Sequence, residues 1–593
     1  MPSLNRRDAL RLLALTLVDL GVPGCPGAFA AENAGVPDET RRWWKEAVVY
    51  PIYPRSFMDS NGDGIGDLPG IVSRLDYIAT LGVDVVWLCP HYPSLNVDNG
   101  YDVSDYRAVM PAFGTMADFD CLVSGLQTRG LRLIVDLVVN HTSDRHPWFE
   151  SSRRSRDDPY RDYYIWRDGI DDGPPNNYPS LFGGPAWRRD DVTGQYYLHL
   201  FAPEQPDLNW ANPKVRAEVH GIMRLWLDRG VSGFRLDAIS FISKQPGLPN
   251  LTPDELHDPT RVYAAGPLRD AYLQEMSREV LSRYDTMTVG EAGGVCLTSA
   301  RQMTDSSRHE LDMVFTFALI GLERDGAEAA SLLPRIKSIV AERDAAAGAN
   351  AWVASYLANH DQPRSVSHFG DPDPAWRAAS AKVLATLLLT QRATAFVYQG
   401  EELGMSNYPF TSIDQIEDVR AKWEWREKVG SGAVPADVEM ERLRRTSRDN
   451  ARTPMQWTSG PNAGFTTGTP WLPVNPNASV VNAADQAVNG DSVLAFYRRL
   501  IALRKRHPVL VYGAYSDIDP DHPTVFAYTR SLSASRCLVL MNFSRAPVAF
   551  RLPVGLTAVE TLLSSLPDEG LSGTGKVVLA GWQSLVLSIA AAG

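Results

Sequence analysis

Eight short apolar runs alternate with amphipathic stretches along most of this 593-residue chain. They are AVVYPIY (47–53), VDVVWLCP (83–90), RLIVDLVVNH (132–141), GFRLDAI (233–239), MTVGEA (287–292), LDMVFTF (311–317), VASYLANHD (353–361) and ATAFVYQGEE (393–402). Runs of this length that are apolar almost throughout, not at every second position, suit strands buried on both faces. Helical patterns lie between them. Val215, Val219, Ile222 and Trp226 share one helix face, with Asn212-Pro213 as cap and first turn and Gly230 as stop. Thr115 to Asp118 reads as a capping box ahead of Phe119, Leu122 and Leu126, with Gly130 at the end. Ile71, Leu75, Ile78 and Leu81 predict a third helix, stopped by Gly82.

Strand then helix, repeated about eight times, predicts an α/β protein built on a closed parallel (β/α)8 or TIM barrel. Two segments break the rhythm. Residues 142–210 are rich in Pro, Gly, Asp, Arg and Tyr and too long for a connecting loop, which predicts a small domain inserted after the third strand. From 514 to 593, stretches such as TVFAYTR and CLVLMNF predict a C-terminal antiparallel β domain. The barrel itself takes 31–141 and 211–513.

Residues 1–30 read as an export signal. Arg6-Arg7 precedes a mostly apolar run, and Ala28-Phe29-Ala30 offers a cleavage site, a twin-arginine-like pattern that predicts a periplasmic protein. No later stretch is apolar for long enough to span a membrane. The net charge of -12 disfavours nucleic acid as a partner, and a monomer is expected. Beyond the signal, Cys89, Cys121, Cys296 and Cys537 are scattered without metal spacing, and are expected to be buried free thiols.

In such a barrel the active site sits at the C-terminal ends of the strands. There the third strand carries Asp136 and Asn140-His141, the fourth Arg235 and Asp237, the fifth Glu291, and the seventh His360-Asp361. A single acidic residue at a strand end is usually a cap or a solvated group. Several such groups closing one barrel call for a shared polar substrate. Cleavage of a glycoside needs one carboxylate to attack and one carboxylic acid to protonate the leaving oxygen, about 5–5.5 Å apart in retaining enzymes. Asp237 and Glu291, on neighbouring strands, are the natural pair. Arg235, two residues before Asp237 on the same strand face, is expected to hold Asp237 ionised, while burial and nearby negative charge raise Glu291.

DLVVNH (136–141), GFRLD (233–237), GEA (290–292) and NHD (359–361) resemble, in this order, the four signature regions of the alpha-amylase superfamily, glycoside hydrolase family 13. QPDLNW (205–210) is similar to an extra region of its oligo-1,6-glucosidase subfamily. The resemblance implies Asp237 as nucleophile, Glu291 as acid/base and Asp361 as transition-state stabiliser. It implies that Asp98, Tyr101, His141, Gln205, Arg235, His360 and Arg448 bind a sugar, with Phe317 beside the acceptor. Segments at 243–256, 389–410 and 445–457 resemble sucrose isomerases, which make isomaltulose or trehalulose. Three positions depart from that pattern: Gly293 stands where isomerases have an aromatic, GLERD (321–325) differs in its loop at Gly321 and Glu323, and Ala238 replaces Thr. Isomerase-like transfer with side hydrolysis is expected on sucrose or short α-glucosides. A hydrolytic α-glucosidase is the alternative. A non-catalytic structural homologue is a remote one, since such homologues carry a membrane span and have lost catalytic carboxylates.

MDSNGDGIGD (58–67) places Asp59, Asn61, Asp63, the Ile65 carbonyl and Asp67 at positions 1, 3, 5, 7 and 9 of a calcium loop, with Gly64 at the turn. Position 12, normally Glu, is Gly70. The subfamily resemblance implies a structural cation here. Ca2+ is expected ahead of Mg2+ because the ligands are many and irregular.

Overall fold

Parallel strands with both faces covered dominate the computed structural model, which describes residues 36–590 apart from 38–39, 323–331 and 567–574. The eight barrel strands are β1 (Val48–Ile52), β2 (Val85–Leu88), β3 (Arg132–Val138), β4 (Gly233–Asp237), β5 (Met287–Glu291), β6 (Met313–Phe315), β7 (Ala354–Ser355) and β8 (Thr394–Phe396). They form one parallel sheet in the order β7-β8-β1-β2-β3-β4-β5-β6, and β6 and β7 lie side by side across the remaining seam. The strands are buried along nearly their whole length, as their unbroken apolar runs require. Gly233 opens β4 at φ +145, and a Cβ there would stand 1.9 Å from the Met287 carbonyl oxygen of β5. That close approach sets the start of the strand that carries Arg235 and Asp237.

The helix Pro213–Asp228 is capped by the Asn212 side chain and buries Val215, Val219, Ile222 and Trp226. The helix Met116–Thr128 has the expected reciprocal capping box between Thr115 and Asp118. The third expected helix is two: Leu68–Val72, capped by Asp67, and Leu75–Leu81, ended by Gly82 at φ 90. Ile71 thus lies on the first piece and the other three apolar residues on the second. An i, i+4 apolar pattern runs across such a break without registering it, because both pieces bury the same side.

Between β3 and β4, a short three-stranded antiparallel sheet pairs Trp166–Arg167 and Trp187–Arg189 with Tyr196–Leu198. After residue 513 come a five-stranded and a two-stranded antiparallel sheet. Among the described residues no helix is long and apolar enough to cross a membrane. The four cysteines among the described residues form no disulfide, but only Cys89 and Cys537 are buried; Cys121 and Cys296 are exposed. Cys121 lies on the outer face of its helix and Cys296 caps another, which apolarity of the residue type alone does not reveal. Residues 1–30, and Glu323 to Asp325 of the GLERD loop, lie outside the described residues.

Candidate active site

Strand register brings the charged groups together. Asp136 of β3 stands beside Arg235 of β4, and Val138 beside Asp237. Asp237 and Glu291 are the last residues of β4 and β5, whereas Asp136 lies two residues inside β3. The Arg235 guanidinium is buried among three carboxylates. Its Nη1 donates to Asp136 Oδ1 and to Asp237 Oδ1, both at 2.6 Å, and its Nη2 lies 3.0 Å from Glu291 Oε1. Beyond Asp237, Ala238 takes a left-handed conformation (φ 44), and its amide donates to Glu291 Oε2 at 3.1 Å. A non-glycine residue in that region costs about 1–2 kcal/mol. Here it turns a backbone donor onto the second carboxylate.

The electrostatics differ from the sequence expectation in one respect. Burial pushes Glu291 up to about 7, against the pull of Arg235 and helped by Asp237 and Asp361, as expected. Burial also pushes Asp237 up to about 7, and Arg235 does not reverse it. The reason is that Arg235 divides one charge among three acids: Asp136 too is raised by burial, to about 6. Asp361 goes the other way. Burial opposes its ionisation, but His360, Arg448 and Arg452 outweigh burial and hold it well below the usual carboxylate range. His360 is itself pushed down by burial, so the lasting positive charges at Asp361 are the two arginines.

Around this centre, His360 Nε2 lies 2.9 Å from Asp361 Oδ2 and 2.7 Å from the Tyr101 hydroxyl. The Tyr101 and His360 rings stack, and Tyr53 stacks on His360 as well. Arg448 reaches Asp98 at 3.1 Å and Asp361 at 3.2 Å. Gln205 donates to Asp98 Oδ2 at 3.3 Å and lies 3.1 Å from His141 Nε2, which is 3.1 Å from the Tyr101 carbonyl oxygen. Asp98, Tyr101, His141, Gln205, Arg235, Asp237, Glu291, His360, Asp361 and Arg448 are thus linked in one network. Phe317 stands apart, 37% exposed, on the wall of a cavity of about 920 Å³ that also touches Ala292 and Gly294. At neighbouring Gly293, a Cβ would come within 3.2 Å of the Phe241 ring, so that side is already filled by an aromatic from the turn after β4.

Arg452 has no place among the residues expected from the sequence. It is fully buried and donates to Asp361 Oδ1 at 2.9 Å and to the His360 carbonyl at 2.9 Å. The signal is present in the chain: Arg448 and Arg452 are four apart across the short helix Asp449–Arg452, a spacing that puts both on one face.

The loop 58–67 curls on its own side-chain oxygens. Asp59 accepts from the amides of Asn61, Gly62 and Gly64 and from the Thr466 hydroxyl. Asn61 accepts from the Asp63 amide, and Asp63 from the Ile65 amide. Asp67 caps the following helix and accepts from Ser60. Among the described residues no group of three or more His, Cys, Asp and Glu side chains is placed to hold a metal ion. The acids alone therefore do not make a site. A mixed oxygen set that adds the Asn61 amide and the Ile65 carbonyl fits a hard cation at Asn61, Asp63 and Asp67, whose side-chain oxygens keep lone pairs beyond the bonds they accept, whereas each Asp59 oxygen already accepts two bonds. Gly70 at position 12 has a structural cause: a Cβ there would stand 2.0 Å from the Met58 carbonyl oxygen, so no glutamate fits.

The model of the alpha-amylase catalytic domain matches residues 51–513. The chain is 49% identical to an oligo-1,6-glucosidase of Parageobacillus thermoglucosidasius, over 93% of this chain and 99% of that enzyme. It is 43% identical to a trehalose-6-phosphate hydrolase of Bacillus subtilis, over 92% and 98%. Among solved structures, a single-residue variant of the trehalulose synthase MutB shares 50% identity at a TM-score of 0.90, covering 92% of this chain and all of that one. The isomaltulose synthase PalI of Klebsiella sp. LX3 shares 50% at 0.90, covering 93% of this chain and all of its own. The chain belongs to the alpha-amylase family, glycoside hydrolase family 13, and is an enzyme of that family.

Proposed function

We propose that this enzyme takes the glucosyl unit from sucrose or short α-glucosides with net retention, through a covalent glucosyl-enzyme on Asp237. The observation that carries the reading is the sharing of Arg235 by Asp237 and Glu291 at the ends of adjacent strands. Asp237 attacks the anomeric carbon while Glu291 protonates the leaving oxygen; Glu291 then takes a proton from the incoming hydroxyl. With both acids near 7, one proton divides between them, and the shorter contact of Arg235 with Asp237 favours the charge there. Asp361, kept ionised, faces the positive charge that develops on the ring.

The acceptor is fructose or water. The isomerases among the structural relatives support rearrangement of sucrose to isomaltulose or trehalulose. The exposed Phe317 and the open cavity beside it favour water as a competitor, because a loosely held fructose loses the effective concentration that lets it win. Purified protein given sucrose, maltose and isomaltose separately is expected to yield isomaltulose or trehalulose together with glucose and fructose from sucrose. Glucose and fructose alone would leave a hydrolytic α-glucosidase. No turnover of any α-glucoside would overturn the reading.

Three further properties belong to this proposal. Asp59, Asn61, Asp63, the Ile65 carbonyl and Asp67 hold a structural Ca2+. Residues 1–30 direct export to the periplasm, which replacement of Arg6-Arg7 by Lys-Lys with cell fractionation tests. The enzyme is a monomer, which light scattering tests.

A further inference from the structure

Arg448 is long, flexible and surrounded by acids, and only two of those acids belong to the substrate-facing network. The third is Asp418. It is 2% exposed and holds Arg448 by one oxygen, Oδ1 accepting from Nε at 3.1 Å and, at 2.7 Å, from Nη2, the nitrogen that also reaches Asp98. Asp418 is fixed in turn. Its side chain accepts from the Arg420 amide at 3.0 Å as the N-cap of the helix Val419–Lys428. Its own amide donates to Asp449 Oδ2 at 2.9 Å, and Asp449 lies 3.5 Å from Arg452. Each arginine facing Asp361 is therefore backed by an aspartate, and the two aspartates are tied through a single backbone donor.

We propose that Asp418 is a positioning residue for glucosyl transfer, one that fixes the Arg448 guanidinium so that it orients Asp98 and Asp361 without collapsing onto them. The inference rests on the glucosyl-transfer reading. A free arginine carries about 2 kcal/mol of rotamer entropy, and a planar fork already held by Asp418 loses less of it on each further contact it makes. Without the Asp418 charge, the guanidinium is drawn wholly to Asp98 and Asp361, where it occupies lone pairs otherwise open to sugar hydroxyls. The helix cap and the active site are joined at this one side chain.

Asp418→Asn separates the two roles. Asparagine is as good an N-cap as aspartate, so the helix keeps its cap while Arg448 loses its charged partner. With sucrose or maltose, kcat/KM is expected to fall about tenfold or more, with a melting temperature close to that of the parent. In an Arg448→Met background the same change is expected to cost less than about twofold, because the group it positions is gone. Asp418→Ser, which also caps, serves if the asparagine variant does not fold. A Tm loss with kcat/KM kept, or equal losses in the two backgrounds, would show a helix cap and nothing more, and overturn the inference. A parent enzyme inactive on every α-glucoside would instead overturn the reading beneath it.

Discussion

Arg235→Met removes the one cation that three buried acids share. Its nitrogens lie 2.6 Å from Asp136 and Asp237 and 3.0 Å from Glu291. A hydrogen bond to a charged group contributes about 1.5–3 kcal/mol, and about 1.4 kcal/mol shifts a pKa by one unit. Losing the Asp237 contact alone thus raises that carboxyl by about one to two units from its position near 7. At pH 7 the parent Asp237 is about half ionised; in the variant the fraction drops to roughly a tenth to a hundredth. With sucrose or maltose, kcat/KM at pH 7 is expected to fall about 5- to 50-fold from this cause, on top of any loss of sugar contacts. The acids take up protons in the variant, so circular dichroism at neutral pH should still report the folded protein. The assay is the pH dependence of kcat/KM from about pH 5 to 9. Its acidic limb should move upward by about one to two units, so that activity partly returns at alkaline pH. A limb that stays in place, with the same fractional loss at every pH, would refute the argument that Arg235 acts through the ionisation of Asp237.

Glu291→Gln should lower turnover of sucrose or maltose by about 10²–10⁴-fold while sparing the first step on α-glucosyl fluoride, whose leaving group needs no proton; stopped-flow fluoride release measures it. Glu401 is buried outside the active-site network and pushed by burial up to about 7 from the ordinary 4.5. Its folded pKa is raised, so it costs no stability below about pH 4.5 and costs progressively more as pH rises through 7, about 3 kcal/mol at pH 8.5. Glu401→Gln should therefore raise Tm relative to the parent at about pH 8.5 but not at about pH 5, and an equal effect at both pH values would contradict the assignment. Chelation with EGTA should lower Tm more than it alters kcat at a temperature well below Tm, and an unchanged Tm would reject the cation in the 58–67 loop.

Local patterns in the sequence were enough for the barrel, because a strand covered on both faces and a helix covered on one leave different periods in the chain. The same holds for Asp237 and Glu291, the last residues of β4 and β5: strand ends in a parallel barrel share one mouth, so position in the repeat implies position in space, whereas the seventh strand stops at Ser355 and Asp361 reaches that mouth from the loop six residues beyond it. The ionisation of these acids was not legible. It depends on how many carboxylates draw on Arg235, which is set by the register of β3, β4 and β5 and not by the spacing of any residue within one strand. Asp418 stayed hidden for a related reason, since 30 residues separate it from Arg448 and only the folded chain sets their side chains 2.7 Å apart. The exposure of Phe317 on its cavity wall and the split of the helix after Val72 were likewise not legible in the local apolar pattern. The sequence by itself determined which elements form and which residues end them. The tertiary structure decided which charges meet and how deeply they are buried, because desolvation and Coulomb attraction act across space and leave no period in the chain.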